Sequence, residues 1–319
     1  MKFKLLWSAD PASLPKTLYS CQSLMTLTLS NKILVDVPSS ASLPYLTTLK
    51  LHYVVYNDDD SLVKLLSSCP VLETLFVKRH KKDDNVTKFN VVSPSLLCFT
   101  YDNHRRWPKD SDGGDSGRCL VVDTPALTYF ETYDTTGDSC SIEMSCLDTA
   151  IIDTDSCPDD QFLRSLSSVS YLWLYLTVEA VVWCSTITFS RLRQCRISPE
   201  ESDWMEPTVT LLENAPELKH LIVDYTCTKQ PENLPLSWNQ PSFVPGCLSS
   251  QLETFEWEAY GGREEEEHFL AYVLANSNFL KTATISLGSS FSLEEKQMMI
   301  EGLKDIPKVS TEAKLVFDI

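Results

Sequence analysis

Residues 68–77 read Ser-Cys-Pro-Val-Leu-Glu-Thr-Leu-Phe-Val, and the order of apolar and polar side chains in them decides the fold. A six-residue pattern, Leu-x-x-apolar-x-apolar, begins there at Leu72. The same pattern recurs about eleven times along the chain, with successive copies 20 to 34 residues apart. Such regular self-similarity is typical of stacked repeats. The copies begin at Leu24, Leu46, Leu72, Leu96, Leu127, Leu147, Val169, Leu192, Leu218, Leu252 and Leu280.

Proline supports the repeat independently. Five copies carry a proline two residues before their first leucine, in strings such as SCPVLETLFV, SPSLLCFTY and APELKHLIV. With 17 prolines in 319 residues, chance would place fewer than one at eleven such sites. The repeat is therefore a real feature of the chain. The five residues are Pro44, Pro70, Pro94, Pro125 and Pro216.

Composition and charge exclude several classes of function. Acidic residues outnumber Lys and Arg by 44 to 27, a formal net charge of −17, whereas nonspecific nucleic-acid binding needs clustered positive charge. The apolar run at residues 5–7 is too short for a secretory signal, and no stretch approaches the roughly 20 apolar residues of a membrane span. We therefore expect an intracellular protein, cytoplasmic and/or nuclear, that binds neither nucleic acid nor membrane.

The cysteines and the glycines give no sign of a cofactor. Eleven cysteines are scattered without a C-x-x-C pair, and several, such as Cys195, fall at apolar positions of the repeat. In a reducing compartment such residues behave as small buried hydrophobes. Neither a G-x-x-x-x-G-K-[ST] nor a G-x-G-x-x-G motif occurs, and Cys and His are not spaced as zinc ligands. The sequence predicts no cofactor, no disulfide and no metal.

The repeat predicts an α/β fold. Apolar residues at the fourth and sixth positions of each copy alternate with polar ones, which is the period of a strand with one buried face. Helical spacing follows Asp60 and the pair Asp159 and Asp160, and a helix is expected to open at Pro207. Parallel neighbouring strands require such crossovers. We predict a leucine-rich-repeat solenoid: a curved parallel sheet with helical or irregular returns.

The domain organisation changes near residue 244. Residues 1–243 hold about nine repeats, with a loop insertion near 103–118 and a linker near 228–246. From 244 to 319 the pattern predicts strand, helix, strand, helix and strand. The acidic run Glu264 to Glu267 suits the positive end of a helix dipole and is expected to be solvated, and Ser292 with Glu295 has the spacing of a capping box.

Two long segments resemble the plant F-box/FBD/LRR-repeat proteins. The C-terminal strings VPGCLSSQLETFEWEAYGGREEEEHFLAYVLANSNFLKTATIS and SLEEKQMMIEGLKDIPKVSTEAKLVF look like an FBD domain, which the resemblance assigns to 244–319. Residues 14–79 are similar to the leucine-rich repeats of the same family. The resemblance implies a non-catalytic module that recognises substrates of an SCF-type ubiquitin ligase.

The resemblance also implies an F-box, which docks a Skp-type adaptor on a cullin. Only 13 residues precede the family-like LPKTLYSC, too few for a helical module of that kind, and we expect no recognisable F-box here. The adaptor and the cullin are therefore expected as partners only if an F-box is supplied elsewhere. A general LRR scaffold, or a truncated family member without a ligase role, remains an alternative.

Two motifs that suggest other chemistry fail on spacing. GGDSGR at 113–118 contains the nucleophile motif of trypsin-like proteases, but none of the five histidines has the required context, so a hydrolase built on Ser116 is only a remote alternative. Two acidic runs fail the EF-hand pattern, because Val121 stands where the bidentate Glu belongs in one and Pro158 where Gly belongs in the other. We predict no catalytic residues.

The surface that remains is the open face of the sheet. Because side chains alternate across a strand, the third, fifth and seventh positions of each copy point away from the core. In the fifth and seventh copies these positions hold large aromatic residues, the type that most often anchors protein interfaces. A register shifted by one residue would instead bury them. The predicted binding residues for an unknown target protein on this concave face are Tyr129, Glu131, Tyr133, Tyr171, Trp173 and Tyr175.

Overall fold

The computed structural model describes residues 1–6, 11–79, 86–103, 119–134, 139–154, 159–200, 203–228 and 230–318. It divides into two compact units, Met1–Leu166 (unit 1) and Ser167–Ile319 (unit 2). Both units have the predicted α/β fold of stacked repeats with a parallel sheet. The predicted domain boundary near 244 stays a prediction.

Unit 1 consists mostly of short strands. Its main sheet is parallel, and strands that are neighbours in the sheet belong to successive copies of the repeat, in the order β1, β3, β5, β7, β9, β11, β13. The elements are β1 Lys2–Leu6, β2 Ala12–Ser13, a 3-10 helix Lys16–Ser20, β3 Thr26–Ser30, β4 Ile33–Val35, β5 Thr48–His52, β6 Val55–Tyr56, α1 Ser61–Ser67, β7 Thr74–Lys78, β8 Lys88–Val92, β9 Cys98–Asn103, β10 Cys119–Asp123, β11 Tyr129–Asp134, β12 Ser139–Glu143, β13 Thr149–Thr154 and α2 Asp160–Leu166.

Unit 2 continues the alternation with longer helices. Its strands β14 to β19 form a parallel sheet in chain order. The elements are β14 Tyr171–Leu176, α3 Val178–Cys184, β15 Gln194–Pro199, α4 Met205–Glu213, β16 His220–Asp224, a 3-10 helix Pro231–Asn233, α5 Gly246–Ser250, β17 Thr254–Tyr260, α6 Glu264–Asn276, β18 Thr282–Leu287, α7 Leu293–Lys304 and β19 Lys314–Asp318. Among the described helices, none has both the length and the apolar character that crossing a bilayer requires.

The repeat pattern marks the core. The first residue of every one of the eleven copies is at most 1% exposed, and a strand begins two residues after each of them. Each of the five prolines occupies the second position of a tight turn directly before a strand. In that of Pro70, the backbone N–H of Leu72 donates to the carbonyl of Cys69, at 3.2 Å. Proline favours this position because its fixed φ matches the turn. The proline therefore sets the point at which each chain segment enters the sheet.

The returns differ from the prediction. Helices form as expected after Asp60 and Asp159, and α4 begins at Met205, two residues before Pro207. Several other returns are strands that pair with one another, in the three-stranded parallel sheets β2-β4-β6 and β12-β10-β8. Return segments need partners for their backbone N–H and C=O groups, and neighbouring segments in a stack lie close enough to supply them. Strand returns were not predicted.

Aromatic rings fill the core of unit 2. Trp204 is fully buried and lies edge-on to Trp257 and Phe269, with ring centroids 5.5 and 5.0 Å apart. Its Nε1–H donates to the hydroxyl of Tyr225 at 2.9 Å, which satisfies the one polar atom of the indole. Edge-to-face contacts of this kind add to the hydrophobic gain from burying the rings. This cluster connects the residue before α4 and the helix α6 to the residue after β16 and the strand β17.

The C-terminal elements match the predicted order. The capping box at α7 is present, because the Ser292 hydroxyl accepts the Glu295 N–H while the Glu295 carboxylate accepts the Ser292 N–H. The prediction that the acidic start of α6 is solvated is wrong for Glu266, which is fully buried. Its carboxylate accepts the backbone N–H groups of Gly261 and Arg263, both at 3.1 Å, and a guanidinium N–H of Arg263 at 3.0 Å. Glu266 thus caps the helix from inside.

Candidate functional site

The strand β11 has the register that directs its aromatic rings to the open face. Phe130 is fully buried and Thr132 is 4% exposed, whereas Tyr129, Glu131 and Tyr133 are each partly exposed. The alternative register, which would bury the rings, therefore does not occur in this strand. In unit 1 these three side chains stand together on the face away from the core.

The carboxylate of Glu131 is held by hydroxyl groups. Tyr133 donates to its Oε1 at 2.8 Å, while Tyr129 and Thr100 each donate to its Oε2 at 3.0 Å. Thr100 lies opposite Glu131 on the neighbouring strand β9. Hydrogen bonds to an ionised acceptor are stronger than neutral ones, so this arrangement fixes the two rings in place. We name these four residues the Glu131 cluster.

The strand β14 carries the other predicted aromatic residues. Tyr171 and Trp173 are partly exposed, whereas Tyr175 is only 8% exposed. The ring of Tyr175 stacks on that of Trp173, with centroids 5.6 Å apart and an interplanar angle of 12°. The indole Nε1–H of Trp173 donates to the hydroxyl of Ser198 at 2.9 Å. Tyr175 therefore supports Trp173 and offers little surface of its own.

An arginine completes this surface in unit 2. The guanidinium of Arg196 lies over the Trp173 ring, 5.0 Å from its centroid, and makes a two-point contact to Glu258 at 2.8 and 2.9 Å. It also donates to Oδ2 of the fully buried Asp224 at 2.7 Å. Burial alone would lower the pKa of Arg196, but Glu258 and Asp224 raise it above its usual value. We name Trp173, Arg196, Asp224 and Glu258 the Arg196 cluster.

Comparisons with known proteins agree with the fold. The family model of the leucine-rich repeats of FBD-associated F-box protein At5g56370 matches residues 3–148, and the FBD model matches residues 240–285. The FBD-associated F-box protein At1g05080 of Arabidopsis thaliana is 54% identical over 99% of this chain and 73% of its own length. The chain belongs to the plant F-box/FBD/LRR-repeat family. No solved structure matches it.

A second relative covers the chain as fully. The F-box/FBD/LRR-repeat protein At4g26340 of Arabidopsis thaliana is 38% identical over 100% of this chain and 75% of its own length. On the structure, the FBD match includes α5, β17 and α6 and ends within β18, so Glu258 and Glu266 lie inside it. The repeat match includes β2 to β12. Family membership thus extends to both units.

Several residues of the two clusters were not singled out from the sequence. Thr100, Arg196, Asp224 and Glu258 all stand at the fifth or seventh position of their copies, so the rule that gave the aromatic residues also contains them. What the rule lacks is the lateral pairing of strands, which places Arg196 directly beside Trp173. Charges of opposite sign at outward positions of neighbouring copies were the signal that could have found Arg196, Asp224 and Glu258.

The structure gives little support to the other sites that the sequence analysis considered. Within the described ranges, no group of three His, Cys, Asp or Glu side chains is placed to hold a metal ion. Ser116, the motif at 113–118 and the first acidic run lie outside the described residues. A pocket of about 450 Å³ beside α6 in unit 2 is lined mainly by apolar atoms, among them those of Trp238, Tyr272 and Pro307. Among the described residues, the Glu131 cluster and the Arg196 cluster therefore remain as the candidate functional sites.

Proposed function

We propose that this protein is a non-catalytic protein-interaction module that recognises the substrates of an SCF-type ubiquitin ligase. The proposal assigns target binding to the open face of the sheet. A Skp-type adaptor and a cullin join it where an F-box is supplied. The proposed contact residues are Tyr129, Glu131 and Tyr133 in unit 1 and Tyr171 and Trp173 in unit 2, whereas the nearly buried Tyr175 supports Trp173 and does not itself contact the target.

One observation carries the proposal. Trp173 is partly exposed, yet its ring is fixed by the Ser198 hydroxyl, by stacking on Tyr175 and by the guanidinium of Arg196. A large side chain that is already ordered loses little conformational entropy when it binds a partner. Rigid aromatic residues next to arginine are the usual composition of energetic hot spots in protein interfaces. No chemical step is needed for this role.

The ubiquitin-ligase part rests on family membership. The names of the relatives include the F-box, and proteins of one family with similar repeats are expected to share a mode of action. An LRR scaffold without a ligase role is the second candidate. The two differ in whether adaptor and cullin subunits accompany the protein in plant cells.

Affinity purification from plant cells tests the proposal. We compare the wild-type chain with Trp173→Ala and with Tyr45→Ala, which removes an exposed aromatic residue that lies in the turn before β5. Proteins recovered with the wild type should be retained by Tyr45→Ala and lost or reduced at least about tenfold by Trp173→Ala, as expected for a hot-spot residue. Thermal denaturation of each variant establishes that it is folded.

The outcomes separate the candidates. Recovery of adaptor and cullin subunits together with a Trp173-dependent target supports substrate recognition for a ligase. Stable partners without those subunits favour the scaffold. If a folded Trp173→Ala variant retains every partner at the wild-type level, the assignment of the binding face is wrong.

A further inference from the structure

The first strands of unit 1 carry an unusual set of charges on their open face. The strands β1, β3, β5 and β7 contribute twelve outward positions, and these described positions contain four lysines, one histidine and no acidic residue. The chain as a whole has 44 acidic residues against 27 Lys and Arg. These positions therefore form a positively charged surface on a protein whose net charge is −17. The lysines are Lys2, Lys4, Lys50 and Lys78.

Strand pairing places these lysines near one another. Lys4, Thr28, Lys50 and Phe76 stand on one rung of the sheet, directly opposite one another on successive strands. Because neighbouring strands are about 4.8 Å apart, the backbones of Lys4 and Lys50 are separated by about 10 Å. Lys2, Lys4 and Lys50 are exposed. We name the four lysines with His52 and Phe76 the basic face.

Aromatic rings form the centre of the basic face. His52 and Phe76 stack with ring centroids 4.9 Å apart and an interplanar angle of 26°, and both are partly exposed. Burial, and then the positive charges of Lys50, Lys78 and Lys4, lower the pKa of His52, while Asp102 has the opposite effect. His52 stands directly opposite Lys78 on β7 and two residues after Lys50 on β5, so its ring lies beside positively charged side chains.

One lysine of the basic face is already paired. Lys78 donates to the carboxylate of Asp102 on β9, and this bond raises the pKa of Lys78. Asp102 thus ends the positive region on the side of β9. Within the part of the chain that the structure describes, three exposed lysines and the aromatic stack remain for a ligand.

We propose that the basic face binds an extended acidic segment of a partner protein, with carboxylates on Lys4 and Lys50 and an apolar side chain on the His52–Phe76 stack. The proposal rests on the proposed function in one respect, that the open face of the sheet takes a protein. It adds the chemistry of the ligand. Opposite charges accelerate encounter and select partners, and the stack supplies apolar contact.

Charge and size favour a peptide over a nucleic acid. Lys2, Lys4 and Lys50, which have no ion-pair partner among the described residues, cannot neutralise the roughly six to ten phosphates of a typical nucleic-acid contact. The net charge of −17 repels a long polyanion from the surrounding surface. An extended peptide rises about 3.3 Å per residue, so a segment of about five residues covers the distance from β1 to β7.

Fluorescence anisotropy with a defined peptide tests the proposal. The probe is a labelled peptide of about eight residues that carries Glu and Leu in turn at every second position with Ser between them, so that both side-chain types point to the same face, and it is long enough to cross the four strands. A peptide of equal length with Gln in place of each Glu is its control.

We expect the double variant Lys4→Glu/Lys50→Glu to bind the acidic probe at least about tenfold more weakly than the wild type. Lys88→Glu, which reverses an exposed charge on β8 in the same unit, should change binding less than about twofold. Raising the salt from about 0.05 to about 0.3 M should weaken wild-type binding.

Several results would overturn the proposal. Equal binding of the acidic and the Gln/Leu peptide, or equal binding by wild type and a folded double variant, would show that the lysines do not select an acidic segment. A single-stranded oligonucleotide of the same charge that competes as strongly as the peptide would show a general polyanion site. Concentration-dependent dimerisation that the double variant abolishes would identify a second copy as the ligand.

The test is separable from that of the proposed function. Trp173→Ala lies in unit 2 and should leave binding of the acidic probe unchanged. Loss of cellular partners in Trp173→Ala with intact probe binding contradicts nothing about the basic face. Conversely, failure of the probe to bind contradicts the proposal for the basic face and does not change the interpretation of the affinity purification with Trp173→Ala.

Discussion

The Glu131 cluster of unit 1 and the Arg196 cluster of unit 2 stand at equivalent positions of their strands but are built in opposite ways. In the first, a carboxylate accepts hydrogen bonds from three hydroxyl groups. In the second, a guanidinium bonds two carboxylates and covers an indole ring. One central charge is negative and bound by neutral groups, and the other is positive and bound by opposite charges.

This difference indicates different energetic roles. Removing the centre of the Glu131 cluster leaves hydroxyl groups that water can satisfy, because the cluster is partly exposed. Removing Arg196 leaves Asp224 in a fully buried position without its counter-charge. An uncompensated buried charge is far more costly than an exposed hydroxyl. The Arg196 cluster should therefore contribute more to stability, and the Glu131 cluster should tolerate change.

The largest effect is expected from Arg196→Ala. Because Asp224 and Glu258 lose their shared partner, we expect the free energy of unfolding of unit 2 to fall by about 2–3 kcal/mol. Chemical denaturation followed by circular dichroism measures the change. Arg193→Ala removes an exposed arginine next to the same strand and should cost less than about 0.5 kcal/mol. A loss for Arg196→Ala no larger than that of Arg193→Ala would contradict the difference between the clusters.

A smaller effect is expected from Glu131→Ala. The variant loses three hydrogen bonds to a partly exposed carboxylate, and we expect a loss of about 1–2 kcal/mol from unit 1 by the same denaturation measurement. Glu143→Ala, an exposed glutamate of β12 in the same unit, is the matched control and should be close to neutral. If Glu131→Ala costs as much as Arg196→Ala, the proposed contrast between hydroxyl and ionic partners is wrong.

The smallest effect concerns an exposed ion-pair group in unit 2. Lys281 and Lys219 both donate to Glu253 and lower its pKa from its usual value near 4.5 to about 2. A lowered pKa means that the stabilisation is fully present above about pH 4.5 and is lost as the pH falls toward 2. The difference in Tm between wild type and Glu253→Gln should therefore be constant near neutral pH and shrink between pH 4.5 and 2.

The lysine partners provide the control for that measurement. In a Lys219→Met/Lys281→Met background, the Tm difference between the chain with Glu253 and the chain with Glu253→Gln should no longer depend on pH in this range. The two lysines that lower the pKa of Glu253 are then absent. A difference that persists unchanged in this background would show that other charges stabilise the Glu253 carboxylate.

The sequence predicts the fold better than the site for a physical reason. Leu72 and its ten equivalents occupy positions that allow only buried apolar residues, so a local pattern is enough to place strand and turn. The contact between Trp173 and Arg196 depends on which strands are neighbours, and 23 residues of chain separate the two. The paired returns, such as β8 with β10, depend likewise on stacking. The burial of Glu266 follows from the shape of the turn before α6, which charge pattern alone does not reveal.

The constant distance between neighbouring strands fixes the distances between outward side chains of unit 1. Spacing between its copies varies from 20 to 31 residues, yet each copy advances the open face by one strand, about 4.8 Å. Lys4 and Glu131 stand on one rung, five strands apart, so their backbones are about 24 Å apart whatever the length of the returns. Insertions in the returns should thus leave the distances between contact points unchanged. Such a protein can therefore vary in length and still present its contact residues to a ligand at the same spacing.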